Sequence, residues 1–361
     1  MTAHQLLQRV DAFLRSVSDD DIVAIVHDTD PDGIFSAVIL SRCLKRLRGR
    51  GVDIHLPLNK EKYGITEDMI ARFKQKGVTK LIAADFSLEQ NLDRLKELEK
   101  LFPILIVDHH KLYNDYSSDR VILYKPQKFT DIEPSQYCTA KLAFDAAMRV
   151  CDVSDLDWMA ASACIADIAT APWKDWLSSV FIKYNLEQND DLFTTKLGDI
   201  ASIVSSTELY DVALVPSCFA FFSSAKTIED VFQSEFIQYK HTIDAELEKH
   251  RKRFETHAKH RGELYIYELD SPYRVQSALS TILGIDYPHR TIIIINVGLP
   301  MISVSARRGD KQVAVNELLE QAVEGFDHAN AGGHIPAAGA GFPKHYLEKF
   351  KENLWKTAPL A

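Results

Sequence analysis

The first stretch of this chain alternates β-rich apolar runs with segments of helical spacing, and that rhythm constrains the fold more than any other feature. DIVAIVHD (21–28) precedes SAVILSRCLKRL (36–47), and VDIHLPL (52–58) precedes TEDMIARFKQKG (66–77). TKLIAADFS (79–87) precedes EQNLDRLKELEKL (89–101), and PILIVDHH (103–110) follows. Strand and helix in this order predict a largely parallel α/β sheet. Three of the strands run out on Asp28, Asp85 and Asp108. In parallel sheets, ligands gather beyond the carboxyl ends of the strands.

From about 135 to 205 the pattern turns helical, and 173–235 is rich in aromatics but carries no chemical signal. EFIQYKHTIDAELEKHRKRFETHAKHRG (235–262) reads as one long connecting helix that ends at Gly262. A second α/β segment follows, with ELYIYEL (263–269), RTIIIINVG (290–298), MISVSARR (301–308) and a Gly/Ala-rich turn at 331–341. A chain of 361 residues is too long for one ordinary core. The expected architecture is a parallel-sheet domain at 1–205, a helical connector at 206–262 and a smaller α/β domain at 263–361. No run of 18 apolar residues exists, so no membrane span is expected. The N-terminus reads as an amphipathic helix rather than a signal peptide. Five widely spaced cysteines without a CxxC pair suit reduced thiols in the cytoplasm, not a zinc knuckle. A net charge of −9 disfavours extended duplex binding. Two basic clusters, Lys45 to Arg50 and Lys249 to Arg253, read as solvated helix faces.

His27-Asp28-Thr29-Asp30-Pro31-Asp32-Gly33 sets three carboxylates at alternate positions after an apolar strand. Like charges this close raise one another's pKa, and a cation among them relieves the repulsion. Oxygen ligands favour Mg²⁺ or Mn²⁺, and an added imidazole tilts the choice to Mn²⁺. The competing reading is an Asp-rich turn built on Pro and Gly. Asp85 ends the next buried strand, and Asp108-His109-His110 the one after. Asp167 lies in an otherwise apolar helical stretch, Ala161 to Ala171. A buried carboxylate is costly unless paired or metal-bound, although bonding to a helix end would also account for it.

These residues carry a resemblance. DTDPDG, Asp85, the Asp108-His109-His110 triplet and Ala166-Asp167 resemble the four ordered motifs of the DHH phosphoesterase superfamily. Ala331-Gly332-Gly333-His334-Ile335-Pro336-Ala337-Ala338-Gly339 resembles the GGGHxxAAG signature of the DHHA1 domain that often accompanies it. Ser303-Val304-Ser305-Ala306-Arg307 resembles that domain's strand with a phosphate-binding Arg. The triple alternation DxDxDG is similar to RecJ-like nucleases. The HxxPDGD of oligoribonucleases and pAp phosphatases, and the HxxxDxD of family II pyrophosphatases, fit less well, because His27 precedes Asp30 by three residues. Two features depart from the pattern: Ala331 replaces the first Gly, and the residues after Gly341 are too few for the OB-fold of long bacterial RecJ enzymes. Short archaeal RecJ-like proteins are similar in this respect.

The resemblance implies two divalent metal ions, Mn²⁺ before Mg²⁺. Asp30, Asp85 and either Asp28 or His27 would surround one; Asp32, Asp85, His109 and Asp167 the other. Asp108 would orient the metal-ligating residues. His110 would contact the scissile phosphate or protonate the leaving oxygen. Arg307, Gly332, Gly333 and His334 would grip a phosphate. Tyr63, Tyr137 and Phe129 are candidates to stack on bases, with core packing as the competing role. The implied activity is a RecJ-like exonuclease on single-stranded DNA or RNA and on short oligonucleotides. The alternatives are a nanoRNase or pAp phosphatase, and a non-catalytic Cdc45-like scaffold. Replication and repair proteins are the implied protein partners.

Overall fold

A computed structural model describes residues 1–58 and 64–357. The chain divides into two units, Met1–Glu208 with Val212–Ile237, and Leu209–Asp211 with Gln238–Ala361.

In the first unit the apolar runs become strands. The order is α1 (Ala3–Arg15), β1 (Val23–His27), α2 (Pro31–Arg48), β2 (Ile54–Pro57), α3 (Glu67–Gln75), β3 (Lys80–Ala84), α4 (Leu92–Leu101), β4 (Ile104–Val107) and β5 (Val121–Tyr124). Helices α5 (Thr139–Met148), α6 (Asp157–Ala166), α7 (Lys174–Lys183), α8 (Lys196–Tyr210), α9 (Val215–Ser224) and α10 (Ile228–Phe232) follow. The five strands are parallel in the order β2-β1-β3-β4-β5. Every residue of β1, β4 and β5 is buried, as expected where helices cover both faces. The strand order reverses at β1, which opens a crevice beyond the carboxyl ends of β1 and β3. Helix α2 starts at that crevice. Asp30 caps it by accepting the Gly33 N–H, Pro31 fixes the first helical φ, and Gly49 ends it at φ 80°.

The second unit takes over within α11 (Phe236–His257) and continues through β6 (Lys259–Arg261), β7 (Leu264–Leu269), α12 (Gln276–Asp286), β8 (Thr291–Asn296), β9 (Ile302–Arg307), α13 (Val315–Ala322), β10 (Asn330–His334), β11 (Ala337–Phe342) and α14 (Leu347–Thr357). Its six-stranded sheet runs β10-β11-β9-β8-β7-β6, with β7 and β8 parallel and the other pairs antiparallel. The chain is therefore α/β, a parallel-sheet unit followed by a smaller mixed-sheet unit.

Three expectations are corrected. The long helix stops at His257, not Gly262. Lys259–Arg261 instead pairs with Leu264–Ile266, and Gly262 turns the hairpin at φ 56°. The Gly/Ala-rich stretch 331–341 is largely two antiparallel strands, β10 and β11, bent at Ile335-Pro336. The first basic cluster is not purely a solvated face. The Arg48 side chain is buried, bonds Asp53, and donates to the carbonyls of Ser18 and Asp21. In the second cluster Lys249, Arg251 and Lys252 pair with Glu246, Asp286 and Glu248. Among the described residues no helix is long and apolar enough to cross a membrane.

Candidate metal centre

Strands β1, β3 and β4 deliver their acids side by side. After β1 the chain doubles back so tightly that a Cβ on Gly33 would lie 2.4 Å from the Asp28 carbonyl oxygen. Only glycine permits that return, and it sets Asp28, Asp30 and Asp32 around the start of α2. Asp85, just past β3, adopts φ 66°, a left-handed conformation uncommon for a residue with a side chain.

Three overlapping groups of ligand-type atoms result, each within 4.8 Å of one another: Asp28, Asp30 and Asp85; Asp32, His109 and Asp167; Asp85, His109 and His110. His109 Nε2 lies 3.4 Å from Asp167 Oδ2, 3.7 Å from Asp85 Oδ1 and 3.9 Å from Asp32 Oδ2. Its other nitrogen, Nδ1, is 3.2 Å from the Pro134 carbonyl oxygen. A carbonyl only accepts, so Nδ1 carries the proton and Nε2 turns a lone pair toward three carboxylates. Asp167 Oδ2 is buried and has no hydrogen-bond partner among the described residues. Burial, reinforced by neighbouring acidic groups, raises Asp32 and Asp85 well above the usual carboxylate range. Burial likewise raises Asp167 and lowers His109. Converging lone pairs, an orphaned carboxylate oxygen and an imidazole fixed by its far nitrogen suit divalent cations.

Asp32 is anchored independently of any ion. Thr139 N–H donates to its Oδ2 at 2.6 Å and Ala140 N–H to its Oδ1 at 2.7 Å, the first free donors of α5. Thr139 Oγ1 also donates to Asp85 Oδ1 at 2.9 Å. Asp108 holds His110 rather than His109: its Oδ1 is 2.7 Å from His110 Nδ1. Behind it Lys125 Nζ lies 2.7 Å from Asp108 Oδ2 and also bonds Glu89, all three side chains being fully buried. Burial alone would lower His110, but the bond to Asp108 and the surrounding carboxylates push it up to about 9. Sequence reasoning missed Thr139, Glu89 and Lys125. The available signal was a lysine directly after the apolar run Val121–Tyr124.

His27 joins none of the three groups. Its ring is buried and stacks on Phe219 and His55, and its Nδ1 faces the Asp28 carbonyl. Asp167 is not within the helix but caps the end of α6. The next residue, Ile168, takes φ 56° and closes a Schellman motif, with Ile168 N–H on Ile165 O and Ala169 N–H on Cys164 O. That position normally belongs to glycine, and a β-branched residue there costs on the order of 1–2 kcal/mol. Tyr137 is buried against Trp173 and bonds Asp145, and Phe129 stacks on Tyr124. Both are core contacts, and Tyr63 lies outside the described residues.

In the second unit Arg307, Ala337 and His334 stand opposite one another across β9, β11 and β10. Arg307 has no carboxylate partner among the described residues; it touches Thr281 Oγ1 and the Ala306 carbonyl. His334 is exposed, and Gly332 and Gly333 precede it on the edge strand of the sheet.

Residues 22–171 match the DHH family, N-terminal domain, and residues 272–358 match the DHHA1 domain. No curated protein matches the chain by sequence. Among solved structures the chain is similar to an exonuclease RecJ bound to manganese, with a TM-score of 0.71 and 16% identity over 98% of this chain and 97% of that one. It is similar to RecJ in complex with Mn²⁺ from Thermus thermophilus, with a TM-score of 0.66 and 15% identity over 97% of this chain and 54% of that one. It is also similar to CDC45 from Entamoeba histolytica, with a TM-score of 0.62 and 10% identity over 99% of each chain. At such identities the likeness is one of fold. The two domain matches, in order along the chain, make this protein a member of the DHH/DHHA1 superfamily.

Proposed function

We propose that the chain is a phosphodiesterase dependent on two divalent cations, Mn²⁺ in preference to Mg²⁺, that trims single-stranded nucleic acid and short oligonucleotides from an end. One observation carries this reading: His109 Nε2 turns a lone pair toward Asp32, Asp85 and Asp167, with Nδ1 already committed to Pro134. Asp28, Asp30 and Asp85 would hold one cation, and Asp32, Asp85, His109 and Asp167 the other. Bound there, such cations polarise a phosphoryl oxygen and lower the pKa of water.

The protein's own groups do the remaining work. Lys125 and Ser87 fix Asp108, and Asp108 fixes the His110 ring through Nδ1. His110 Nε2 is left to bind the scissile phosphate or to give its proton to the leaving oxygen. His110 is half exposed, as a group that meets substrate must be. In the second unit Arg307 and His334 flank Ala337, whose small side chain leaves room above the sheet for a phosphate between them.

Single strands from dinucleotides to thirty-mers, labelled at either end and incubated with Mn²⁺, test the reading. Progressive shortening from one end is expected. Activity confined to dinucleotides or pAp would make the protein a small-nucleotide phosphatase. Hydrolysis of no phosphoester at all would leave a non-catalytic scaffold, a role for which so complete a set of donor atoms has no use.

A further inference from the structure

Next to Asp167 the surface carries an apolar notch that the proposed chemistry does not use. Ile168 is 67% exposed and Phe193 is 52% exposed. They line one cavity of about 180 Å³, floored by Ile165 and rimmed by Thr170, Asp190 and Asp191. Ile168 holds a left-handed conformation that glycine would adopt freely, yet its side chain has little packing to justify it. Strained residues persist where the surrounding structure fixes them, and they cluster at ligand sites. Trp173 closes the loop that follows by donating from Nε1 to the Gln136 carbonyl, and Gln136 Nε2 donates back to the Ile168 carbonyl. The loop is thus pinned at both ends while Ile168 points outward.

We propose that the notch between Ile168 and Phe193 receives a nucleobase of the strand whose phosphate lies at the metal centre. The proposal rests on the phosphodiesterase reading above and assigns that site a base-binding pocket. Continuity decides the occupant: Ile168 directly follows Asp167, a candidate metal ligand. Charge decides which part of a nucleotide enters. The carboxylates of Asp190 and Asp191 repel a phosphate but accept hydrogen bonds from the amino groups of adenine, cytosine or guanine. Asp191 already accepts the Phe193 N–H, which fixes the approach of that ring. Size agrees, since the cavity is smaller than the roughly 300–1,000 Å³ that encloses a whole drug-sized ligand. An aliphatic and an aromatic face are what a flat ring stacks on, with little sequence preference.

Two variants and two substrates test it. Ile168→Gly removes the apolar face and relaxes the backbone, so its melting temperature should rise. Phe193→Ala removes the other face from an exposed position and should leave the fold intact. With an adenine pentanucleotide, KM should rise about fivefold in Ile168→Gly and about tenfold in Phe193→Ala, the range expected for loss of one base contact. With the same pentamer built on abasic sugars, which keeps every phosphate, the gap between variants and parent should shrink towards nothing. Equal losses on both strands, or no rise in KM on either, would overturn the base pocket and leave the phosphodiesterase reading standing. A parent protein inert to both strands would overturn the two together.

Discussion

Replacing Lys125 by methionine tests the buried scaffold behind His110. Lys125, Asp108 and Glu89 have no side-chain exposure, and the ammonium bonds both carboxylates. Methionine keeps most of the volume but leaves two acids in the interior without their cation. Breaking a buried ion pair by deleting one partner costs about 3–5 kcal/mol, because the surviving charge is uncompensated. Part of that loss is recovered as the orphaned acids take up protons, so the lower end is expected at neutral pH. For a unit of this size, 3 kcal/mol lowers the melting temperature by roughly 6–12 °C. Calorimetry on chelated protein reads this directly without any contribution from bound ions. Glu89→Gln removes one of the two acids, so combining it with Lys125→Met should cost less than the sum of the single changes, by about 0.5–3 kcal/mol. A Lys125→Met protein within about 1 kcal/mol of the parent, additive with Glu89→Gln, would show that the triad is not a coupled charge network.

Three further outcomes follow from the same geometry. Asp85→Asn should raise the melting temperature of chelated protein by relieving like-charge repulsion, and should abolish most of the stabilisation of about 2.7 kcal/mol that Mn²⁺ would give at a hundredfold excess over its Kd; thermal scans with and without Mn²⁺ check both. Burial opposes the ionised form of Asp21, but bonds from the Ser18 N–H, Lys80 and Thr79 outweigh it and hold its carboxyl well below the usual range. Its stabilisation is therefore present above the unfolded pKa of about 3.9 and is lost as pH falls further, so urea unfolding should show Asp21→Asn weaker than the parent at neutral pH and the gap closing in acid. Arg307→Ala should raise KM for an oligonucleotide about tenfold while leaving the Mn²⁺-dependent thermal shift unchanged, since it would remove the proposed charge-assisted phosphate contact and no proposed metal donor.

The parts of the fold legible in the sequence were those set by local pattern. DIVAIVH, KLIAA and ILIV are short apolar runs bounded by helical segments, and they form parallel strands buried on both faces. The order β2-β1-β3-β4-β5 was not legible, because strand neighbours are chosen by tertiary packing. Asp85 and Asp108 could be placed at strand ends because each follows an apolar run directly, and Asp28 because only His27 separates it from one. Lys125 also follows such a run, yet an isolated lysine at a strand end looks solvated until Asp108 and Glu89 are seen around it. Two misreadings came from treating glycine as punctuation. Gly262 looked like a helix stop and instead turns a hairpin, while Gly332 and Gly333 looked like a turn and lie on a strand. The reverse held at α6, whose stop was hidden because isoleucine occupies the place where glycine would have announced it.

Asp32 is gripped by the backbone of α5, whose Thr139 and Ala140 N–H groups each bond one of its oxygens. A carboxyl group secured by main-chain donors keeps its position whether or not a cation is present, and side-chain substitutions at Thr139 or Ala140 other than proline leave those donors in place. Asp32 would thus be in place before any cation binds, unlike the ligands of a zinc finger, which order only around their metal. On the proposed reading, stripping the ions would empty a cup that retains its shape. On the proposed two-cation reading, an organism whose manganese supply rises and falls would find such an enzyme dormant during scarcity and ready on replenishment, with no need to synthesise it again.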